Sequence, residues 1–324
     1  MNLLTSLRYL VALAEHRHFA RAAQACHITQ PALSNALRAL EKEFGTPIVK
    51  RVRSYVGLTP EGELVLGAAR RMLHEHALLQ QELASSSDQP RGRLQLGVVP
   101  TAVPVAARFA ALLQAAHPGI APVVRAMSSQ EIEESLTDLS LDLALGFTDR
   151  LIKGGPLKGG PFAVLPQYGE HYFLVRRAQG SNGAPGAFLR LGAPMGWRDA
   201  ARLPLCLLTP EMHNRSLVDQ AFAQAGAAVA PVMETDSVLT LALCVLAGDV
   251  CSVLPGALVG AVRSQGELEA LPLVKPEMVT PVGFIRLGKA TASPVVQAAL
   301  ALASDAGWLQ DVVRHSGALG KSIG

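Results

Sequence analysis

The chain has 324 residues, 49% of them apolar, which is more than one hydrophobic core usually serves and far too apolar for wholesale disorder. Its net charge is only +3, yet the first 60 residues carry eight Lys or Arg against three Glu, which leaves the remainder at minus two. A basic segment thus fronts a nearly neutral body, an asymmetry that points one end toward a polyanion, with a plain solvated face as the alternative.

Leu4, Leu7, Leu10, Val11 and Ala14 repeat at helical spacing and predict a first helix over residues 3–15. Arg8 interrupts this stretch, and no small-residue cleavage site precedes Glu15 and His16, so it does not read as a signal peptide. Residues 18–25 read as a short second helix whose small side chains permit close packing, and Cys26-His27-Ile28 as a turn. Thr29 is placed to cap a third helix with Pro31 in its first turn; Leu33, Ala36, Leu37 and Leu40 carry it to Phe44, and Gly45 ends it. Three short helices in this order predict a helix-turn-helix. Ile48-Val49 and Tyr55-Val56 are strand-like, and Lys50, Arg51 and Arg53 between them predict a wing with a basic tip. Thr59-Pro60-Glu61 combines a cap, a proline at the first helical position and an acid near the positive end of the dipole, and opens a helix running to about residue 83. On it Val65, Ala69, Met72, His76, Leu79 and Leu83 alternate spacings of four and three, a seam suited to a second copy of the chain.

Residues 85–90, Ser-Ser-Ser-Asp-Gln-Pro, are a linker by composition. Beyond them the pattern predicts a strand over 94–99, a helix over 103–116, a strand over 122–126, a helix over 129–136 and a strand over 141–145. This βαβαβ run implies a parallel sheet covered by helices. The Gly- and Pro-rich stretch 154–161 holds Lys153 and Lys158 nearby but lacks the strand-to-helix setting and spacing of a phosphate loop, and reads as irregular. A second α/β run starts near Tyr168 and includes 205–208, 217–226, 238–247 and 251–254; a last strand over 282–286 and helix over 294–303 return to close the first lobe. No apolar run reaches the length of a membrane span, and the four scattered cysteines carry no zinc-site spacing. A reduced, cytoplasmic protein without membrane contact is the expectation.

The segments Leu7-Arg8-Tyr9-Leu10, Phe19-Ala20-Arg21-Ala22-Ala23, His27-Ile28-Thr29-Gln30-Pro31-Ala32-Leu33-Ser34, Leu40-Glu41 and Leu58-Thr59-Pro60-Glu61-Gly62 stand in one order and together resemble the signature of LysR-type transcriptional regulators. The resemblance implies an N-terminal all-α winged helix-turn-helix plus a long linker helix, then a C-terminal α/β two-lobed periplasmic-binding-protein-like effector domain. On this reading residues 1–58 bind DNA, 59–90 form the dimerisation helix and hinge, and 91–324 sense an effector, lobe I spanning about 91–161 and 267–303 and lobe II about 162–266. Implied partners are double-stranded promoter DNA, a small-molecule effector and the chain itself as dimer and tetramer, with RNA polymerase left open. No cofactor, metal or enzymatic activity is expected.

A helix N-terminus entering a major groove sets its first polar side chains at base edges. Gln30 can therefore pair with adenine in two-pronged fashion, as can Asn35 further along, while Thr29 and Ser34 suit phosphate and Arg38 lies one turn beyond. Thr29 and Pro31 equally serve to start the helix. Lys50, Arg51 and Arg53 would neutralise phosphate at the wing, giving affinity without sequence choice. In open α/β sheets ligands bind beyond the carboxyl ends of strands. The loops after the first two strands supply Thr101, Ser128 and Ser129 beside free amides, a combination favouring a small anion, although Ser128 with Glu131 also fits a capping box. From the second lobe, Thr209, His213 and Asn214 are expected to form the opposite wall, and Thr235-Asp236-Ser237 reads mainly as a cap.

Three alternatives stand beside this reading. A peroxide-sensing branch of the family carries a reactive cysteine after a histidine in the second lobe; here His213 is followed by Asn214, so thiol sensing by Cys206, Cys244 or Cys251 would need another arrangement, and buried apolar cysteine is the simpler reading. A solute-binding protein would need an export signal in place of the winged domain. A hydrolase would need a nucleophile elbow or a His-Glu metal motif, and the sequence has neither.

Overall fold

The computed structural model describes residues 2–52, 54–85, 89–152, 160–178, 188–288 and 292–319. It divides into two compact units, one holding Met1–Asp88 with Thr137–Ser140 and the other Gln89–Leu136 and Leu141–Gly324.

The first unit contains α1 (Leu3–His16), α2 (Phe19–Ala25), α3 (Gln30–Phe44), the antiparallel pair β1 (Val49–Val52) and β2 (Ser54–Leu58), and α4 (Pro60–Ala84). Each helix start has a local cause. Asn2, His18, Thr29 and Thr59 accept N–H groups of the turns they cap, and Gly45 ends α3 in the left-handed conformation. The core joins Leu7, Leu10 and Leu13 of α1 to Leu33, Leu37 and Leu40 of α3, with Ile48 and Ala69 closing it. Glu41 locks the wing to the helices, because its Oε1 accepts from the Ile48 and Val49 amides at 3.0 and 3.1 Å. Thr59 serves twice: its hydroxyl donates to the Pro47 carbonyl at 2.7 Å and accepts from the Gly62 amide at 2.9 Å.

The predicted seam of α4 is split. Val65 and Ala69 pack into the core of their own unit, whereas Met72 and Leu79 are 47% and 53% exposed and Leu83 is exposed further still. The first turns of the helix thus stabilise the winged unit, and the later ones leave an apolar row uncovered.

The second unit begins with β3 (Gly92–Val98), a short 3-10 turn at Pro100–Ala102, α5 (Val103–Ala116), β4 (Ile120–Ala126), α6 (Ser129–Thr137), β5 (Leu143–Phe147), α7 (Asp149–Ile152) and β6 (Phe162–Glu170). The chain then crosses to β7 (Tyr172–Arg177), β8 (Arg190–Leu191), β9 (Met195–Gly196), α8 (Trp197–Ala200), β10 (Leu205–Leu208), α9 (His213–Gln224), β11 (Met233–Thr235), α10 (Val238–Ala247), β12 (Cys251–Pro255), α11 (Gly256–Ala261) and β13 (Leu268–Val274). It returns through β14 (Thr280–Leu287), α12 (Pro294–Ala303) and α13 (Ala306–His315).

Two sheets result, ordered β4-β3-β5-β14-β6 in lobe I and β11-β10-β12-β7-β13-β8 in lobe II, with β9 beside β13. This corrects the expected lobe boundaries. Residues 162–170 pair with β14 and belong to lobe I, while 268–274 pair with β7 and belong to lobe II, so the crossings fall after Glu170 and after Val274. Lobe I also extends past residue 303: Asp305 caps α13, whose Trp308 is buried against Phe109 and donates Nε1–H to Gln167 at 2.6 Å. Arg108 grips Asp311 of the same helix with two nitrogens and holds that carboxyl below its ordinary range. At the first crossing Glu170 is buried, and its oxygens accept from the Gly317 amide at 3.0 Å and the Ala257 amide at 3.4 Å. Burial pushes this carboxyl up to about 8, against the pull of those hydrogen bonds.

Candidate functional site

The outward face of α3 carries the expected DNA-reading set. Gln30, Pro31, Asn35 and Arg38 are exposed and Ser34 half-buried, while Leu33 and Leu37 on the opposite side hold the helix to the core. Thr29 caps α3, its hydroxyl accepting from the Ala32 amide at 3.4 Å, and remains exposed. Arg38 Nη1 donates to Asn35 Oδ1 at 3.2 Å, so these two side chains reach outward as one pair. Lys50 is exposed on the wing; Arg53 and the side chain of Arg51 lie outside the described residues.

The sensing residues divide more sharply. β4, β3 and β5 are parallel neighbours, so the residues after their carboxyl ends meet on one edge of the sheet. Thr101, in the turn after β3, is 4% exposed. Ser129 opens α6, and its Oγ is shut off from solvent without a hydrogen-bond partner. Ser128 takes the capping role the sequence also allowed: its hydroxyl accepts from the Glu131 amide at 3.2 Å while Glu131 accepts from the Ser128 amide at 2.8 Å, a reciprocal cap.

On lobe II, His213 opens α9 with its ring 5.3 Å from that of Phe147 and its Nε2 3.8 Å from Oδ1 of Asp149. Asn214, expected to face a ligand, instead turns inward and donates to the Tyr172 hydroxyl at 3.2 Å, which pairs with Thr280. That network ties α9 to the two crossing strands. Thr209 also departs from expectation: its hydroxyl lies against the exposed Glu211, whose carboxyl is held below the usual range by its own backbone N–H and by Thr209.

Residues 4–63 match the family model for "Bacterial regulatory helix-turn-helix protein, lysR family", and residues 87–308 match that for "LysR substrate binding domain". The chain belongs to the LysR family. Within it, the chain is 30% identical to the DNA-binding transcriptional dual regulator OxyR of Escherichia coli strain K12 over 286 residues, covering 86% of this chain and 87% of that one. It is 32% identical over 319 residues to the SDS degradation transcriptional activation protein of a Pseudomonas species, covering 94% and 96%. Among solved structures, a full-length OxyR variant from Pseudomonas aeruginosa superposes with a TM-score of 0.65 at 24% identity, covering 97% of this chain and 98% of that one. The LysR-family regulator CbnR, complexed with its target DNA, superposes with 0.62 at 18% identity, covering 92% and 97%. At these identities the two structures bear on the fold alone.

The protein is thus a LysR-type DNA-binding transcriptional regulator, with the helix-turn-helix ahead of a two-lobed α/β domain. Among the described residues no helix is long and apolar enough to cross a membrane, and no cluster of His, Cys, Asp and Glu could hold a metal ion. One group near His213 was not singled out from the sequence: Asp149, after β5. Its signal was available, because Thr148-Asp149 follows the third strand of the same parallel set that yielded Thr101 and Ser129.

Proposed function

We propose that the protein binds promoter DNA through α3 and the wing as a dimer, paired into a tetramer, and that a small-molecule effector seated between the lobes of its second unit governs that binding. The observation that carries the sensing half is the approach of the two lobes at Asp149 Oδ1 and His213 Nε2, 3.8 Å apart and neither hydrogen-bonded, with Ser129 Oγ of lobe I buried and likewise without a hydrogen bond. Buried polar atoms without partners carry an uncompensated desolvation penalty, and a ligand that pairs them favours the lobe arrangement in which they converge. Coupling to DNA requires only that the effector bind that arrangement better than its competitor.

Thr101→Val and Ser129→Ala test this reading. Each variant is expected to bind operator normally without effector and to lose about 0.5–3 kcal/mol of effector affinity, a several-fold shift in the titration. Unchanged titrations in both would move the pocket elsewhere. For the DNA half, Gln30→Ala should cost about 1–3 kcal/mol on the cognate operator and little on random duplex, since a base-reading contact is lost. Equal losses on the two duplexes would strip Gln30 of that role.

Several relatives bear the name hydrogen peroxide-inducible genes activator, which raises the thiol reading. Two of the three candidate cysteines do not favour it. Burial pushes the Cys206 thiol up to about 11, with the adjacent Cys244 adding to the shift, and burial also raises Cys251, so both stay protonated and weakly nucleophilic. Asn214 stands after His213 and is itself engaged with Tyr172.

A further inference from the structure

A buried carboxyl sits where the chain first passes from lobe I to lobe II. Glu170 ends β6; its Oε1 accepts from the Gly317 amide at 3.0 Å and its Oε2 from the Ala257 amide at 3.4 Å. One side chain thus joins the strand before the crossing, the start of α11 behind β12, and the chain beyond α13. That last segment is seated backbone to backbone. A β-carbon at Gly256 would strike the Gly317 carbonyl, one at Gly260 the His315 carbonyl, and one at Gly317 the Gly169 carbonyl. Ser316 is fully buried, its hydroxyl donating to the Val312 carbonyl at 2.6 Å.

Among the described residues no cation answers this carboxyl. α11 carries no titratable side chain, and His315, at the end of α13, turns its Nδ1 to Asp311 of its own helix. Tyr168 on β6 and Tyr172 on β7 are phenols that burial, and then the charge of Glu170, keep from ionising. His171, the next residue, forms no ion pair with it and gives its carbonyl to the Gly256 amide at 2.9 Å. Burial therefore holds the Glu170 carboxyl up at about 8, against the pull of the amides that favour its charged form.

We propose that Glu170 makes the C-terminal segment a pH-dependent strap across the lobe crossing, seated on α11 and β6 while the carboxyl is neutral and released as it becomes charged. When neutral, the carboxyl accepts with one oxygen and donates with the other. Tyr168 Oη, buried beside it and otherwise without a hydrogen-bond partner, is placed to receive that proton. When charged, it is a carboxylate shut away from water with no cation, and lifting the strap restores its hydration. Exposed to water, the same group titrates near its ordinary value of about 4.3. The seat is therefore firmest at or below that pH and weakens as pH rises toward about 8, the opening equilibrium growing about tenfold per pH unit. The strap bears on the same crossing whose closure an effector would set, and it operates wherever that effector binds.

Hydrogen–deuterium exchange of the full-length protein, read by mass spectrometry on peptides covering residues 312–319 and corrected for the intrinsic pH dependence of exchange, tests this. Protection is expected to fall about tenfold per pH unit between about pH 6 and 8 and then to level, while α3 keeps its own. Glu170→Gln retains an acceptor oxygen and a donor for Tyr168 but no charge, so its protection should be independent of pH. Gly317→Ala leaves Glu170 in place and sets a β-carbon against the Gly169 carbonyl at a φ of +62°, so its strap should exchange rapidly at every pH. That variant defines the released state even if Glu170→Gln fails to fold. Flat protection in the parent, a slope that persists in Glu170→Gln, or a Gly317→Ala strap as protected as the parent's would each overturn the proposal.

Discussion

Replacing Met72 and Leu79 together by glutamate is expected to turn the protein into monomers in sedimentation velocity and to abolish tight operator binding. Both side chains are about half exposed on α4, beyond the turns where Val65 and Ala69 anchor the helix, so the change should not disturb the winged core. Covering what remains exposed of such side chains contributes about 1 kcal/mol each, and setting carboxylates there replaces that gain by a desolvation penalty. Operator binding fails with dimerisation, because a winged unit alone engages one half-site where the dimer holds two at a fixed separation. A double variant that still sediments as a dimer would refute the seam.

Gly62→Ala is expected to unfold the winged unit selectively. A β-carbon at Gly62 would collide with the Ile48 carbonyl oxygen and press on the Leu58 side chain. The carbonyl cannot simply withdraw, since it accepts the Thr59 amide at 2.9 Å and so holds the start of α4 against the wing. Overpacking against fixed backbone costs about 3 kcal/mol, a large share of what a unit of this size has to spend. Scanning calorimetry should show the transition of the winged unit moving down while that of the effector unit stays, with DNA binding lost at the temperature where the first melts. Coincident transitions with the parent protein would mean that the wing can open without cost.

Where an element is bracketed by its own chemistry, it could be read before any coordinates. The expected spans of α5, α10 and α12 agree with the structure because proline or serine opens each and the apolar run between has helical length. α3 and its outward residues were legible for the same reason. Sheet membership was not. β6 and β13 are each strands of ordinary length, and nothing within them says which sheet supplies the partner; that choice is made by β14 and β7, far away in the chain. The site shows the same divide. Ser129 could be placed by its position after a strand, but whether a polar side chain faces a ligand or a neighbour depends on what folds against it. Asn214 found Tyr172, Ser128 found the Glu131 amide, and Asp149 found only His213 across a gap.

The interleaving of the lobes also sets an order of assembly. The winged unit is contiguous in its first 84 residues and can close as soon as they have left the ribosome. Lobe I cannot: β14 lies between β5 and β6, so the sheet keeps two unpaired inner edges until the chain has been made to Leu287. At about 5–20 residues per second this leaves roughly 7–28 s between the completion of β5 and the arrival of its neighbour. During synthesis the nascent protein therefore presents a finished DNA-binding head on a sensor whose strand edges are still open, the interval in which it is most exposed to pairing with the wrong chain.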